Sequence, residues 1–165
     1  MDTTAPRSHT WRFFRTCGLD QALLQSGDDL ADLASLDQKL WTALSCPTRG
    51  VRFDAKTLAL LDTDNDGRIR VPELLGAIAW LSARLTSLDP LFAGSDTVKL
   101  ASIATSTPEG KAMLANAKRI LSNLGKGAAD AISLADVADT AKIFAETRFN
   151  GDGIVPAEAA EDPAV

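Results

Sequence analysis

Oxygen-bearing side chains crowd one short stretch of this 165-residue chain. Asp62, Asp64 and Asp66 stand at alternate positions, so their short side chains can converge on one centre. Gly67 follows them and permits the positive φ of a sharp turn, and Glu73 is the next acidic residue. Calcium prefers six to eight oxygen ligands at about 2.3–2.6 Å. Because crowded carboxylates repel each other without a counter-charge, the stretch predicts a cation site.

The twelve residues 62–73 resemble the calcium loop of the EF-hand superfamily. They read DTDNDGRIRVPE and fit the pattern D-x-D-x-D-G-x-I-x-x-x-E. The resemblance implies that Glu73 reaches back from the following helix with both oxygens, and that Arg68 contributes its backbone carbonyl. The implied ligands of one calcium ion are Asp62, Asp64, Asp66, Arg68 through its carbonyl, and Glu73.

Arg70 departs from the usual pattern of such loops. The ninth position commonly bears a small oxygen side chain, whereas arginine has no acceptor and its charge is expected to weaken calcium affinity. The flanking apolar positions agree with the resemblance, and they are Leu58, Leu61, Leu74, Ala77, Ile78 and Leu81. Two alternatives stay open, a solvated acidic turn and a hand whose loop binds no metal.

A second, incomplete loop of this kind begins at Arg148. Asn150 and Asp152 match ligand positions, but Arg148 stands where the first ligand belongs and Glu158 falls one place short of the last. Asn150, Asp152 and Glu158 are therefore the candidate ligands of a weak second site. The alternative is a degenerate hand that binds no metal and pairs with Ile69 of the first loop.

Apolar spacing and capping residues place helices along most of the chain. Leucines three and four residues apart predict an amphipathic helix over 28–44 that covers the apolar faces of the hands. Glycine at 125 is expected to stop the helix before it. The predicted helix starts elsewhere are Asp54, Pro72 in a first turn, Thr107-Pro108-Glu109 and a capping box from Ser133 to Asp136.

Strand signals are confined to short pieces at loop edges, so the predicted fold class is all-α. We expect an EF-hand-like helical domain with one complete hand over 54–86, a degenerate partner hand over 134–158 and additional packing helices. The predicted organisation is a flexible arm over 1–10, this single domain over 11–158, and a tail or linker over 159–165.

Composition and charge narrow the class of partner. The net charge of −5 disfavours nucleic acid, because an acidic chain repels phosphates. No apolar run approaches the roughly 18 residues of a membrane span. The polar N-terminus lacks a secretory pattern, so we expect a cytoplasmic protein. Cys17 and Cys46 are too widely separated to indicate a zinc site or a disulfide framework.

The function expected from these features is a calcium-binding module, structural or regulatory. The alternative is a calcium sensor that opens to bind a partner helix, but sensors use methionine-rich grooves and this chain has only Met1 and Met113. No enzymatic activity is expected. His9 is the only histidine, tyrosine is absent, and no nucleophile–base pattern occurs.

A broader resemblance links the chain to an uncharacterised family of longer bacterial EF-hand proteins. It spans about 11–158 and implies an N-terminal part of a larger protein, with further domains or a protein partner. It supplies no activity. The segments that carry it are Phe13-Phe14-Arg15, Leu36-Asp37-Gln38-Lys39-Leu40-Trp41, Cys46-Pro47, Ala117-Lys118-Arg119-Ile120-Leu121 and Asn150-Gly151-Asp152-Gly153.

Overall fold

Helices and short strands alternate along the chain, of which a computed structural model describes residues 9–138 and 143. The helices of the described residues are α1 Gly27–Ala31, α2 Ala55–Leu61, α3 Val71–Ser82, α4 Pro108–Asn123 and α5 Leu134–Ala138. The strands are β1 Phe13–Thr16, β2 Leu19–Ala22, β3 Ser45–Pro47, β4 Arg68–Arg70, β5 Thr97–Lys99 and β6 Ala131–Ser133. Short 3₁₀ turns occur at Leu33–Ser35, Gln38–Leu40, Asp89–Ala93 and Leu100–Ser102. None of these helices is long and apolar enough to cross a lipid bilayer.

The predicted all-α fold class is wrong, because the described residues form a mixed fold of helices and small sheets. The strands pair antiparallel, β1 with β2, β3 with β4 and β5 with β6. Each strand has only three or four residues. Such strands are too short to show the alternation of apolar and polar residues by which strands are recognised in a sequence.

The described residues fall into two compact units. Unit 1 contains residues 9–83 and 87–93, and unit 2 contains 84–86, 94–138 and 143. A β-hairpin of β1 and β2 opens unit 1. Its two-residue turn, Cys17-Gly18, has φ angles of 50° and 80°. Positive φ at both turn residues matches the twist of the paired strands.

The amphipathic helix predicted over 28–44 is present only in its first part. α1 ends at Ala31, and two 3₁₀ turns follow it. Asp37 caps the second turn by accepting the backbone N–H two residues on, at 2.9 Å. Such local bonds compete with a continuous helix. The predicted apolar face is nevertheless buried at Leu33 and Leu36.

Asp29 of α1 is almost fully buried, with 2% of its surface exposed. It accepts the backbone N–H groups of Gln25 at 2.8 Å and Ser26 at 2.9 Å. The Gln25 N–H is the main cause that lowers the pKa of Asp29, against the opposing effect of burial. His9, predicted within the flexible arm, lies against this carboxylate, with Nε2 3.1 Å from Oδ1.

In unit 1, α1 also packs closely against the 3₁₀ turn Asp89–Ala93, and the contact is made at Gly27. The Gly27 N–H donates to Asp89 Oδ1 at 2.6 Å. A Cβ at residue 27 would collide with the backbone of Leu88 and Asp89. A glycine is therefore required where these two segments pack together.

The acidic loop is built into unit 1 between α2 and α3. α2 is capped by Asp54, whose side chain accepts the Thr57 N–H at 2.7 Å, and Pro72 lies in the first turn of α3. Both predicted helix starts are confirmed. Cys46 of β3 lies opposite Ile69 of β4. The buried apolar residues in the loop and beside it are Leu58, Ile69, Val71 and Ile78.

Unit 2 packs α4 onto a core that includes Ile103 and Leu121, which are 2% and 1% exposed. Thr107 caps the start of α4 by accepting the Gly110 N–H at 3.1 Å. Gly125, with a φ of 69°, follows the end of the helix. The helix predicted from the Thr-Pro-Glu start to this glycine is thus confirmed.

Candidate metal centre

Three carboxylates meet in the loop that connects α2 to β4. Oxygens of Asp62, Asp64 and Asp66 all lie within 4.8 Å of one another. Asp62 is buried, with 7% of its surface exposed, whereas Asp64 and Asp66 are exposed. The structure therefore brings together the three aspartates that the sequence predicted as ligands.

Backbone N–H groups hold these carboxylates in place. Asp62 accepts the N–H groups of Asp66 at 3.1 Å and Gly67 at 3.0 Å. Asp66 in turn accepts the Arg68 N–H at 2.9 Å. The loop can turn back on its first residue because Asn65 and Gly67 have φ angles of 58° and 83°. The left-handed region is strained for most residues but open to glycine and tolerated by asparagine.

Glu73 is not a member of the aspartate cluster. Its Oε1 accepts the Thr63 N–H and its Oε2 accepts the Arg70 N–H, both at 2.8 Å. These bonds lower the pKa of Glu73, and the Arg70 N–H contributes most. The predicted fifth ligand thus lies at the start of α3, where it ties the two ends of the loop together.

Arg70 supplies a positive charge beside the aspartates. Its guanidinium forms an ion pair with Asp66, and its Nη1 lies 3.6 Å from Asp64 Oδ2. The hydrogen bond to Asp66 raises the pKa of Arg70 above its ordinary value. The expectation that the carboxylates lack a counter-charge without a metal ion therefore needs correction, because the loop carries its own cationic side chain.

Arg68 lies in β4, opposite Pro47. Its side chain turns to β3, where Nη2 donates to Ser45 Oγ at 2.9 Å. The two arginine side chains of β4 thus differ, because the Arg70 guanidinium pairs with the carboxylates and the Arg68 guanidinium bonds to Ser45.

A cavity of about 620 Å³ lies against the loop. Its lining includes Asp62 and Asp66 of the cluster, and it also includes Arg49. The largely buried Asp62 carboxylate therefore borders open space on one side.

The second predicted loop lies outside the described residues. It includes the candidate ligands Asn150, Asp152 and Glu158. Among the described residues, the strand that pairs with Ile69 is β3, through Cys46.

Sequence reasoning missed two features of this centre. The contact between Arg70 and Asp66 was not predicted, because a spacing of four residues regularly brings opposite charges together only on a helix, whereas these residues lie in a loop and a strand. The β3 strand was also missed, because Ser45-Cys46-Pro47 carries no strand pattern of its own. Its pairing with β4 positions the second half of the loop.

No protein-family model, curated protein or solved structure significantly matches this chain.

Proposed function

We propose that residues 62–73 bind one calcium ion, as an EF-hand loop does, and that the chain is a calcium-binding module with a structural or regulatory role. The observation that carries the proposal is the convergence of Asp62, Asp64 and Asp66 within 4.8 Å. Three carboxylates at that separation can share a single divalent cation. Asp62 and Asp66 border the cavity beside the loop, which gives a hydrated ion a route to them.

Completion of the calcium shell requires two side chains to move. Glu73 exchanges its bond to the Thr63 N–H for two bonds to the ion, and Arg70 leaves Asp64 and Asp66. The backbone carbonyl of Arg68 supplies a further oxygen. The displaced guanidinium is exposed enough to be solvated by water, so its release opposes binding without preventing it.

The oxygen donors favour calcium over magnesium. Magnesium demands a nearly ideal octahedron at about 2.0–2.1 Å and gives up its waters reluctantly. Calcium accepts six to eight ligands in a flexible arrangement, which suits a long glutamate that binds through both oxygens. The proposed resident ion is therefore calcium.

Titration calorimetry of the full chain, stripped of metal with EDTA, tests the proposal. We expect saturable calcium binding that Asp62→Asn combined with Asp66→Asn removes. Asp96→Asn is the matched control, because it removes an exposed carboxylate from unit 2, outside the cluster. Absence of calcium binding by the unaltered chain, or equal binding by the double variant, would contradict the proposal.

Calcium-dependent binding of a hydrophobic dye separates the structural role from a sensor role. A structural site raises the stability of the folded chain with little change of shape. We expect the unfolding temperature to rise with calcium and dye binding to stay constant. A large increase in dye binding would favour the sensor alternative.

A further inference from the structure

Unit 2 contains a strand–helix junction built like the one that ends the acidic loop. β6 passes directly into α5, as β4 passes directly into α3. Ile132 at the centre of β6 lies opposite Val98 of β5, and Ile69 at the centre of β4 lies opposite Cys46 of β3. In both units a three-residue strand from a distant part of the chain therefore holds the strand that precedes the helix.

The first turn of the helix is closed in the same way in both units. Asp136 and Glu73 are each the third residue of their helix. Asp136 Oδ2 accepts the Ser133 N–H at 2.9 Å, and Glu73 Oε2 accepts the Arg70 N–H at 2.8 Å. In each unit, one carboxylate oxygen thus accepts a hydrogen bond from the backbone N–H of the last strand residue.

The other carboxylate oxygen reaches back ten residues in both units. Glu73 Oε1 accepts the Thr63 N–H at 2.8 Å. Asp136 Oδ1 accepts a hydrogen bond from the Lys126 ammonium at 2.5 Å. In each unit this hydrogen bond closes the intervening residues into a loop. The donor is the neutral Thr63 backbone N–H in unit 1 and the charged Lys126 side chain in unit 2.

The residues inside the two loops differ in chemistry. Counted back from the helix acid, the positions of Asp62, Asp64 and Asp66 are occupied in unit 2 by Gly125, Gly127 and Ala129. None of these three residues has a side-chain oxygen to offer a cation. We infer that residues 125–136 form a second loop of the same plan, held closed by the ammonium of Lys126 and independent of metal ions.

The environment of Asp136 supports this role for Lys126. Asp136 is 8% exposed, so an unpaired charge there would be costly. Lys126 is the main cause that lowers the pKa of Asp136 to about 2, followed by the N–H and hydroxyl of Ser133. The carboxylate is therefore ionised at neutral pH and satisfied on both oxygens.

The two loops consequently respond differently to metal. In unit 1 a metal ion would take the place of Arg70 beside the aspartates, whereas in unit 2 Lys126 pairs with the helix acid Asp136 itself. The inference about unit 2 does not rest on the proposed calcium site, because the contacts that carry it lie within 125–136.

Hydrogen exchange of the Ser133 amide in the full chain tests the inference, because this amide donates to Asp136. Lys126→Met removes the charge and is expected to accelerate exchange about tenfold, the loss of one partly exposed charge-assisted bond. Lys126→Arg keeps the charge and is expected to exchange within about threefold of the unaltered chain. Lys118→Met, at an exposed position of α4, is the matched control and leaves the rate unchanged. EDTA leaves the rate unchanged in the Asp62→Asn, Asp66→Asn variant, in which the proposed calcium site of unit 1 is absent.

Three results would overturn the inference. The first is exchange in Lys126→Met at the unaltered rate. The second is equal acceleration in Lys126→Arg and Lys126→Met, which would assign the effect to side-chain packing instead of charge. The third is faster exchange of the Ser133 amide in the Asp62→Asn, Asp66→Asn variant when EDTA is added. A carbon chemical-shift titration of Asp136 adds an electrostatic readout, because its pKa should rise in Lys126→Met and stay low in Lys126→Arg.

Discussion

The guanidinium of Arg70 forms an ion pair with the carboxylate of Asp66, four residues before it in the same loop. The same guanidinium lies 3.6 Å from Asp64. Arg70, which departs from the usual pattern of such loops and whose charge was expected to weaken calcium affinity, is thus the counter-charge of the cluster. It competes with any cation that the aspartates bind.

Removal of this competitor should strengthen calcium binding. An exposed ion pair is weak, so Arg70→Gln is expected to raise calcium affinity only modestly, up to about fivefold. Arg68→Gln is the matched control, because Arg68 carries the same charge on the same strand but bonds to Ser45. Calorimetry of both variants at low ionic strength measures the difference. An equal gain of calcium affinity in both variants would show that net charge alone causes the effect.

Loss of the Glu73 carboxylate should weaken calcium binding by an order of magnitude or more. Glu73→Gln removes the ligand proposed to bind through both oxygens, whereas the amide oxygen can still accept a backbone N–H at the start of α3. Glu109→Gln, in the first turn of α4, is the control for loss of an acidic helix start. Calorimetry measures affinity and circular dichroism checks that the helices remain. Unchanged affinity would remove Glu73 from the ligand set.

Acidification should destabilise the loop of residues 125–136 over the pH range in which Asp136 is protonated. The folded pKa of Asp136 is about 2, below the ordinary value of 3.8, so its ionised form stabilises the folded state. This contribution is fully present above about pH 4 and is lost as the pH falls toward 2. We expect exchange of the Ser133 amide, corrected for its intrinsic pH dependence, to accelerate across that interval. Asp136→Asn should show no such transition.

Two glycines should respond in opposite directions to alanine. Gly27→Ala places a Cβ against the backbone of Leu88 and Asp89, and overpacking of this kind costs about 1–3 kcal/mol. Gly76→Ala lies in α3 where a Cβ meets nothing within 4 Å, so helix propensity should stabilise the chain by about 0.5–1 kcal/mol. Urea unfolding measures both. A stabilised Gly27→Ala variant would contradict the close approach of α1 to residues 88–89.

The features that the sequence predicted correctly are those set by residues close together in the chain. The starts of α2, α3 and α4 followed from Asp54, Pro72 and Thr107, because a capping side chain or a proline acts within one helical turn. The three aspartates were also predicted, since alternate short carboxylates before a glycine converge through the loop's own backbone.

The sequence by itself therefore determined the helix starts, the apolar face of the loop's flanking helices and the acidic cluster, all of which depend on residues close together in the chain. The tertiary structure alone decided that β3 pairs with β4 and β5 with β6, because three-residue strands become stable only when a distant partner supplies hydrogen bonds. It also decided where the charges of Arg70 and Lys126 go, because a long side chain can reach many places and its partner is chosen by the packing around it.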